Sequence, residues 1–331
     1  MKLNNKVYFS VFILLVSFCF AQSELRVANI GNFKTTEGKI IRDCKIGYRT
    51  SGRLNSDSSN VLLLSTWFTG TTKDLYVQNN KNGWIDTSKY FIIYTDALSN
   101  GVSSSPSNSE DFPEISIPDM VNTQYKLLSD HLKIKKVKAV IGISMGGMQV
   151  FEWILSYPNF MEKAIAIAGT PKFSSYDLIL WQTQADLIQN GLTGNENMDE
   201  LMKSVYDLFY LNCYTPEFFI NNIKPDSIST WRENSYKSII NPKNYLSQLN
   251  AMIRHDVYKN HSVSLEEIKN RIKPELLIIT SKKDQAVNPV NADEFGKTIN
   301  CKMAELTGDC GHIAVWCESK KVKKEISEFL K

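Results

Sequence analysis

The sequence predicts an α/β fold, a mostly parallel sheet covered by helices on both faces and interrupted by one long helical insertion. Three observations carry this. Short apolar, β-branched runs (Val61–Ser65, Phe91–Tyr94, Val137–Ile141, Lys163–Ala168, Leu276–Thr280) recur along the chain. Where both faces of a strand are covered, a continuous apolar run replaces alternation. Segments of helical periodicity follow these runs, and strand–helix alternation builds a parallel sheet between helix layers. From Pro171 to about Ile268 the pattern changes to aromatic, amide-rich helical segments with no convincing strand. That stretch reads as a helical lid, about 171–270, inserted between two sheet strands of one domain.

In chain order, Leu25–Ile30 and Ile41–Arg49 read as two strands joined by the polar turn at Thr35-Thr-Glu-Gly38. Val61–Ser65 is a central strand running into the loop Thr66-Trp-Phe-Thr-Gly70. Phe91–Tyr94 is the next strand, followed by a Ser/Asn/Gly/Pro loop over Asp96–Asn108. Asp119–Leu132 reads as an amphipathic helix, with Met120, Leu127 and Leu128 on its core face. Beyond the insertion, Leu276–Thr280 resumes the sheet. Ala292–Ile299 is a helix, Met303–Thr307 a last strand and Lys320–Leu330 a closing helix.

The most informative stretch is Val137–Tyr157. A strand runs into Gly142-Ile143-Ser144-Met145-Gly146, and Gly147 to Tyr157 carries apolar residues at helical spacing. A G-x-S-x-G between strand and helix is the setting of a nucleophile elbow. The tight turn holds the serine in a strained conformation and leaves no room for side chains at the flanking glycines. Ser144 would then stand at the carboxyl edge of the sheet. The amide of Met145, at the helix N-terminus, would face a developing oxyanion.

A serine hydroxyl needs a base, normally a histidine oriented by a carboxylate. Only four histidines exist. His131 lies in the helix before the elbow strand, and His255 and His261 lie in the insertion, where surface or capping roles are expected. His312 follows Gly311 in the loop after the last strand and is the predicted base. The order serine, carboxylate, histidine puts the acid after Leu276–Thr280, where Ser281-Lys-Lys-Asp284 supplies Asp284. Asp309, three residues before His312, suits a turn better. The second oxyanion donor is expected from the amide of Phe68, with Trp67 the alternative.

Composition is that of an ordinary globular protein, 43% hydrophobic and 22% charged over 331 residues. Lys2, Lys6, the apolar run Val7–Phe20 and Cys19-Phe-Ala21 predict a secretory signal peptide over residues 1–21. A lipid anchor on Cys19 is the competing reading, opposed by the bulky Phe18. Cleavage after Ala21 removes two lysines and takes the formal charge from +3 to +1, a balance that points to neither nucleic acid nor an acidic membrane. Export would also place the protein away from acetyl-CoA and ATP. Of the remaining cysteines, Cys301, Cys310 and Cys317 lie close enough for a disulfide among them. No C-x-x-C pair or interleaved histidine predicts a metal site, and the chemistry calls for no cofactor.

Ser144-Met-Gly-Gly-Met-Gln149 with Glu152-Trp153 and Tyr157-Pro158 resembles the homoserine O-acetyltransferase family of α/β-hydrolase-fold enzymes. Phe112-Pro113, Asp119-Met-Val121 and Gln124 resemble the helix ahead of that family's elbow. Asn244-Tyr-Leu246, Ala251-Met252 and His255-Asp-Val257 are similar to its lid helices, and Thr69-Gly70 to its oxyanion loop. The resemblance implies Ser144 as nucleophile, Asp284 as acid, His312 as base, and a homodimer. Three departures bear on substrate. Ile313 stands where the acetyltransferases usually carry an aspartate for the substrate's amino group, Pro118 replaces an arginine, and Leu98–Pro106 only partly matches a Gly-rich loop. The expectation is therefore an exported esterase using water. An O-acetyltransferase using acyl-CoA, and a non-catalytic binding protein on the same scaffold, are the alternatives.

Overall fold

The central sheet of the computed structural model has eight strands in the order β1-β4-β6-β5-β7-β8-β9-β10. These are β1 (Arg26–Asn29), β4 (Lys45–Ser51), β5 (Val61–Ser65), β6 (Phe91–Thr95), β7 (Val137–Ile143), β8 (Met161–Ile167), β9 (Glu275–Ser281) and β10 (Lys302–Leu306). The β1–β4 and β4–β6 pairings are antiparallel and every other pairing is parallel. The structure describes residues 23–194 and 196–331. The expected signal peptide and the Cys19 anchor lie outside the described residues.

Strands β5 to β9 each feed two apolar layers, because successive side chains point to opposite faces, and the edge strand β10 feeds one of them. In β5, Val61 and Leu63 enter one layer and Leu62 and Leu64 the other. The first layer is covered by α2 (Ile117–Lys126), α3 (Met145–Ser156) and α11 (Val290–Ile299). The second is covered by α1 (Thr72–Asn82) and α13 (Ser319–Phe329). The short α12 (Ala314–Cys317) precedes α13.

Between β8 and β9 lie α4 (Ser175–Thr193), α5 (Met198–Cys213), α6 (Pro216–Asn222), α7 (Ile228–Tyr236), α8 (Pro242–Ile253), α9 (Val257–His261) and α10 (Leu265–Arg271). No strand occurs among the described residues of this stretch, apart from an isolated bridge between Lys172 and Asp256. None of the helices among the described residues is long and apolar enough to cross a membrane.

Several local expectations change. Ile41–Arg49 is not one strand. Ile40–Ile41 (β3) pairs back on Phe33–Lys34 (β2), and Asp43 turns the chain at φ +44° before β4 begins. The helix expected from Asp119 starts two residues earlier. Ser116 caps it reciprocally with Asp119, and it ends in a turn of wider π-helix over Leu127–His131. Helix α1 has no counterpart in the sequence reading. Its surface is polar and only Thr72, Leu75 and Asn79 are buried, so apolar periodicity does not show it. Its signals are the capping pair Thr71 and Asp74 and a left-handed Gly83 at its end.

Candidate active site

All the predicted site residues sit at the carboxyl ends of parallel strands. Ser144 follows β7 directly, at φ +58° and ψ −122°. A non-glycine residue there is strained and persists only where its surroundings over-determine it. The surroundings do so. The Ser144 amide donates to Ile167 O at 2.8 Å, and its carbonyl accepts from the Met148 amide at 3.0 Å. The turn requires glycines because backbone passes backbone. A Cβ on Gly142 would lie 2.0 Å from Gly146 O, and one on Gly146 would lie 2.6 Å from Ser65 O.

His312 Nε2 is 2.8 Å from Ser144 Oγ, and His312 Nδ1 is 2.6 Å from Asp284 Oδ2. An ionised carboxylate only accepts, so Nδ1 carries the proton and Nε2 accepts from the serine hydroxyl. Asp284 Oδ1 accepts the amides of Ala286 and Val287 at 2.9 and 2.8 Å, which fixes the carboxylate in its loop. Asp309 lies elsewhere, in a 2.5 Å ion pair with Lys283. Of the other histidines, His131 packs edge-on against Tyr48 and His261 holds Glu152 at 2.7 Å. His255 departs from the expected surface or capping role. It is buried, and loss of water pushes its imidazole down to about 4.

The loop carrying His312 is held at several points. Ser281 Oγ donates to Gly311 O at 2.7 Å, Thr215 Oγ1 donates to Asp309 O, and a disulfide joins Cys310 to Cys317 across the histidine. Cys301 remains a free thiol.

Met145 opens α3, where first-turn amides have no intrahelical acceptor. Phe68 lies in the loop after β5, and its ring packs against Tyr245 and Trp181 at 4.6 and 5.8 Å. Ser144, His312 and Phe68 share a pocket of about 680 Å³. Its walls are mainly aromatic and aliphatic (Trp181, Phe209, Tyr214, Met252, Trp316), with Ile313 beside His312 and Asp74, Gln78 and Lys237 among the polar groups lining it. Among the described residues no cluster of His, Cys, Asp or Glu is placed to hold a metal ion. A serine hydroxyl, a tautomer-fixed imidazole and a buried carboxylate in this order can move a proton off the serine as it attacks a carbonyl.

Sequence reasoning assigned no role to the residues that brace this set, one of them, Gln149, the last residue of the elbow signature itself and the others remote from it. Gln149 of α3 donates to Thr66 O at 3.1 Å, and Gln248 of α8 accepts the Thr69 amide at 2.9 Å. Trp181 of α4 donates to Ala286 O at 2.8 Å. Gln149 was visible as part of the elbow signature, and the only sequence signal of Gln248 and Trp181 was an amide or indole side chain on an apolar helix face.

A family model described as alpha/beta hydrolase fold matches residues 72–318. The chain is 38% identical to a probable esterase of Corynebacterium glutamicum over 185 residues, 53% of each chain, so it spans about half the length of that relative. It is 30% identical over 296 residues to an ethyl acetate hydrolase of Pseudomonas veronii, covering 82% of each. It is 27% identical over 356 residues to a homoserine O-acetyltransferase of Nautilia profundicola, covering 89% of this chain and 94% of that one. Among solved structures, an acetylester hydrolase from Corynebacterium glutamicum superposes with a TM-score of 0.85 at 26% identity, covering 94% of this chain and 97% of that one.

Proposed function

The chain belongs to the α/β-hydrolase family, in the group of homoserine O-acetyltransferases and their esterase relatives, and from that premise we propose that it is an exported hydrolase of short-chain acyl esters. Ser144 Oγ attacks the ester carbonyl as His312 Nε2 takes its proton. The amides of Met145 and Phe68 stabilise the oxyanion, each contributing about 3 kcal/mol. Collapse expels the alcohol, which leaves with the proton from His312. Water, deprotonated by His312, then attacks the acyl-enzyme, and the carboxylic acid departs as Ser144 regains its proton. Asp284 keeps the imidazole in the productive tautomer throughout.

The observation that carries hydrolysis over transfer is Ile313 in the pocket wall beside His312. An amino-acid acceptor brings an ammonium group; the aliphatic side chain beside His312 offers it no partner, and the Asp74 carboxylate of the same pocket already accepts the Thr71 amide and hydroxyl. The relatives named for ethyl acetate and acetyl esters support a short acyl group. The Cys310–Cys317 disulfide supports export, since such bonds persist in oxidising compartments. O-acyl transfer is the second reading, favoured by the 27% identity to an acetyltransferase over most of both chains.

Residues 22–331 assayed with p-nitrophenyl acetate and longer esters, and separately with acetyl-CoA and homoserine, test the proposal. Ester turnover lost in Ser144→Ala, with no CoA release, is the expected result. Homoserine-dependent CoA release would overturn the choice of water. Turnover that survives Ser144→Ala would overturn the nucleophile.

A further inference from the structure

The turn that offers the Phe68 amide is closed by the Gly70 amide donating to Trp67 O at 3.0 Å. Its third residue, Thr69, stands at φ +63°. Turns with positive φ at that position strongly favour glycine or asparagine, because a β-branched residue there is strained. Left to local preference, the peptide between Phe68 and Thr69 would turn over through Phe68 ψ and Thr69 φ, and the Phe68 N–H, which belongs to the preceding peptide, would shift only as the Phe68 Cα moves with the relaxing turn.

The inserted helices supply a clamp. Gln248 of α8 is fully buried, accepts the Thr69 amide on Oε1 at 2.9 Å, and donates from Nε2 to Leu98 O at 2.9 Å. Both ends of its amide are used, and the orientation is unambiguous, because an N–H only donates and a carbonyl only accepts. One turn earlier on the same helix, Tyr245 packs on the Phe68 ring. Other ties hold the ends of the loop. Gln149 holds Thr66 O, and Asn100 Nδ2 donates to Gly70 O at 3.1 Å. Gln248 acts at the centre, on the peptide whose orientation is in question.

We propose that Gln248 is a positioning residue for the oxyanion hole, so that the donor at Phe68 is in place only while α8 is seated against the turn. The inference rests on the acyl-transfer reading above and adds a role for the insertion beyond walling the pocket. It acts on the transition state, where the oxyanion exists, and not on the bound ester.

The test compares kcat per active site, titrated with a fluorophosphonate probe, in the unsubstituted chain and in Gln248→Met. Methionine keeps the length and drops both hydrogen bonds. The expected loss in kcat is about 10- to 100-fold, with KM within about threefold. In a Thr69→Gly background the loss from Gln248→Met should shrink to a third or less, because glycine adopts positive φ without the Cβ penalty. Kcat per titrated site within about twofold of the unsubstituted chain, or an equal loss in both backgrounds, overturns the proposal. Should Gln248→Met fail to fold, Gln248→Glu keeps the acceptor for Thr69. It must then retain at least about a tenth of kcat, and a larger loss overturns the proposal. If the unsubstituted chain shows no Ser144-dependent turnover, the acyl-transfer reading fails and takes this proposal with it. Turnover indifferent to position 248 removes this proposal alone.

Discussion

Asp284 and His312 lie 28 residues apart in the chain and 2.6 Å apart in space. One carboxylate oxygen is occupied by the amides of Ala286 and Val287, which leaves the other to receive the Nδ1 proton. Asp284→Asn keeps the shape and removes this logic. An amide nitrogen facing Nδ1 would force the proton to Nε2, where it meets the Ser144 hydroxyl and cannot act as a base. Ester kcat should fall by about 10³- to 10⁴-fold, with the far-ultraviolet circular dichroism unchanged. A loss under tenfold would mean that Asp284 does not set the tautomer.

The elbow was legible in the sequence because its physics is local. Five residues between an apolar strand and a helix fix both the turn and the serine. The histidine was legible by elimination, since only His312 follows the last strand. The bracing residues were not legible, because their partners are remote. Gln248 meets Thr69 across 179 positions, and nothing near either residue announces the contact. Helix α1 and the short β2–β3 pair escaped for another reason. Both bury too little apolar surface to leave a period.

Gly142→Ala tests the close approach inside the elbow. The added methyl would sit 2.0 Å from Gly146 O and 2.2 Å from Gly146 C, both backbone atoms that cannot swing aside. Relief requires separating β7 from the start of α3. The substitution should destabilise the fold by upwards of about 3 kcal/mol or prevent soluble expression. Urea unfolding measures it, and a change under about 1 kcal/mol would show that the turn relaxes more easily than its geometry implies.

The Cys310–Cys317 bridge closes a short ring, with a sequence separation of 7, around His312. On chain-entropy grounds such a ring stabilises the fold by about 2–3 kcal/mol. Replacing both cysteines by serine should lower the thermal midpoint. Because Ser281 and Thr215 hold the same loop independently, ester kcat at 25 °C should fall less than about fivefold. Thermal melts and kcat with and without reductant check both halves. An unchanged midpoint would show that the bridge adds nothing to the fold.

His255 gives the fold a pH dependence of definite sign. Burial pushes its imidazole from 6.5 down to about 4, outweighing the pull of Glu152 and Asp256 toward the charged form, while nearby His261 adds to the depression. The folded protein therefore keeps this ring neutral at a pH where the unfolded chain already binds a proton. The stability it supports is complete above about 6.5 and drains as pH falls toward 4, by about 3 kcal/mol over the whole window. Glu152 works lower. Although burial raises it, hydrogen bonding and charge from His261 hold its carboxyl below 4.5, so its contribution is lost only beneath that value. Unfolding free energies measured in urea should therefore decline steadily from pH 6.5 to 4.5. In His255→Gln, which carries no titrating group, that decline should flatten whatever the variant's absolute stability. An equal slope in both proteins would place the acid sensitivity elsewhere in the fold.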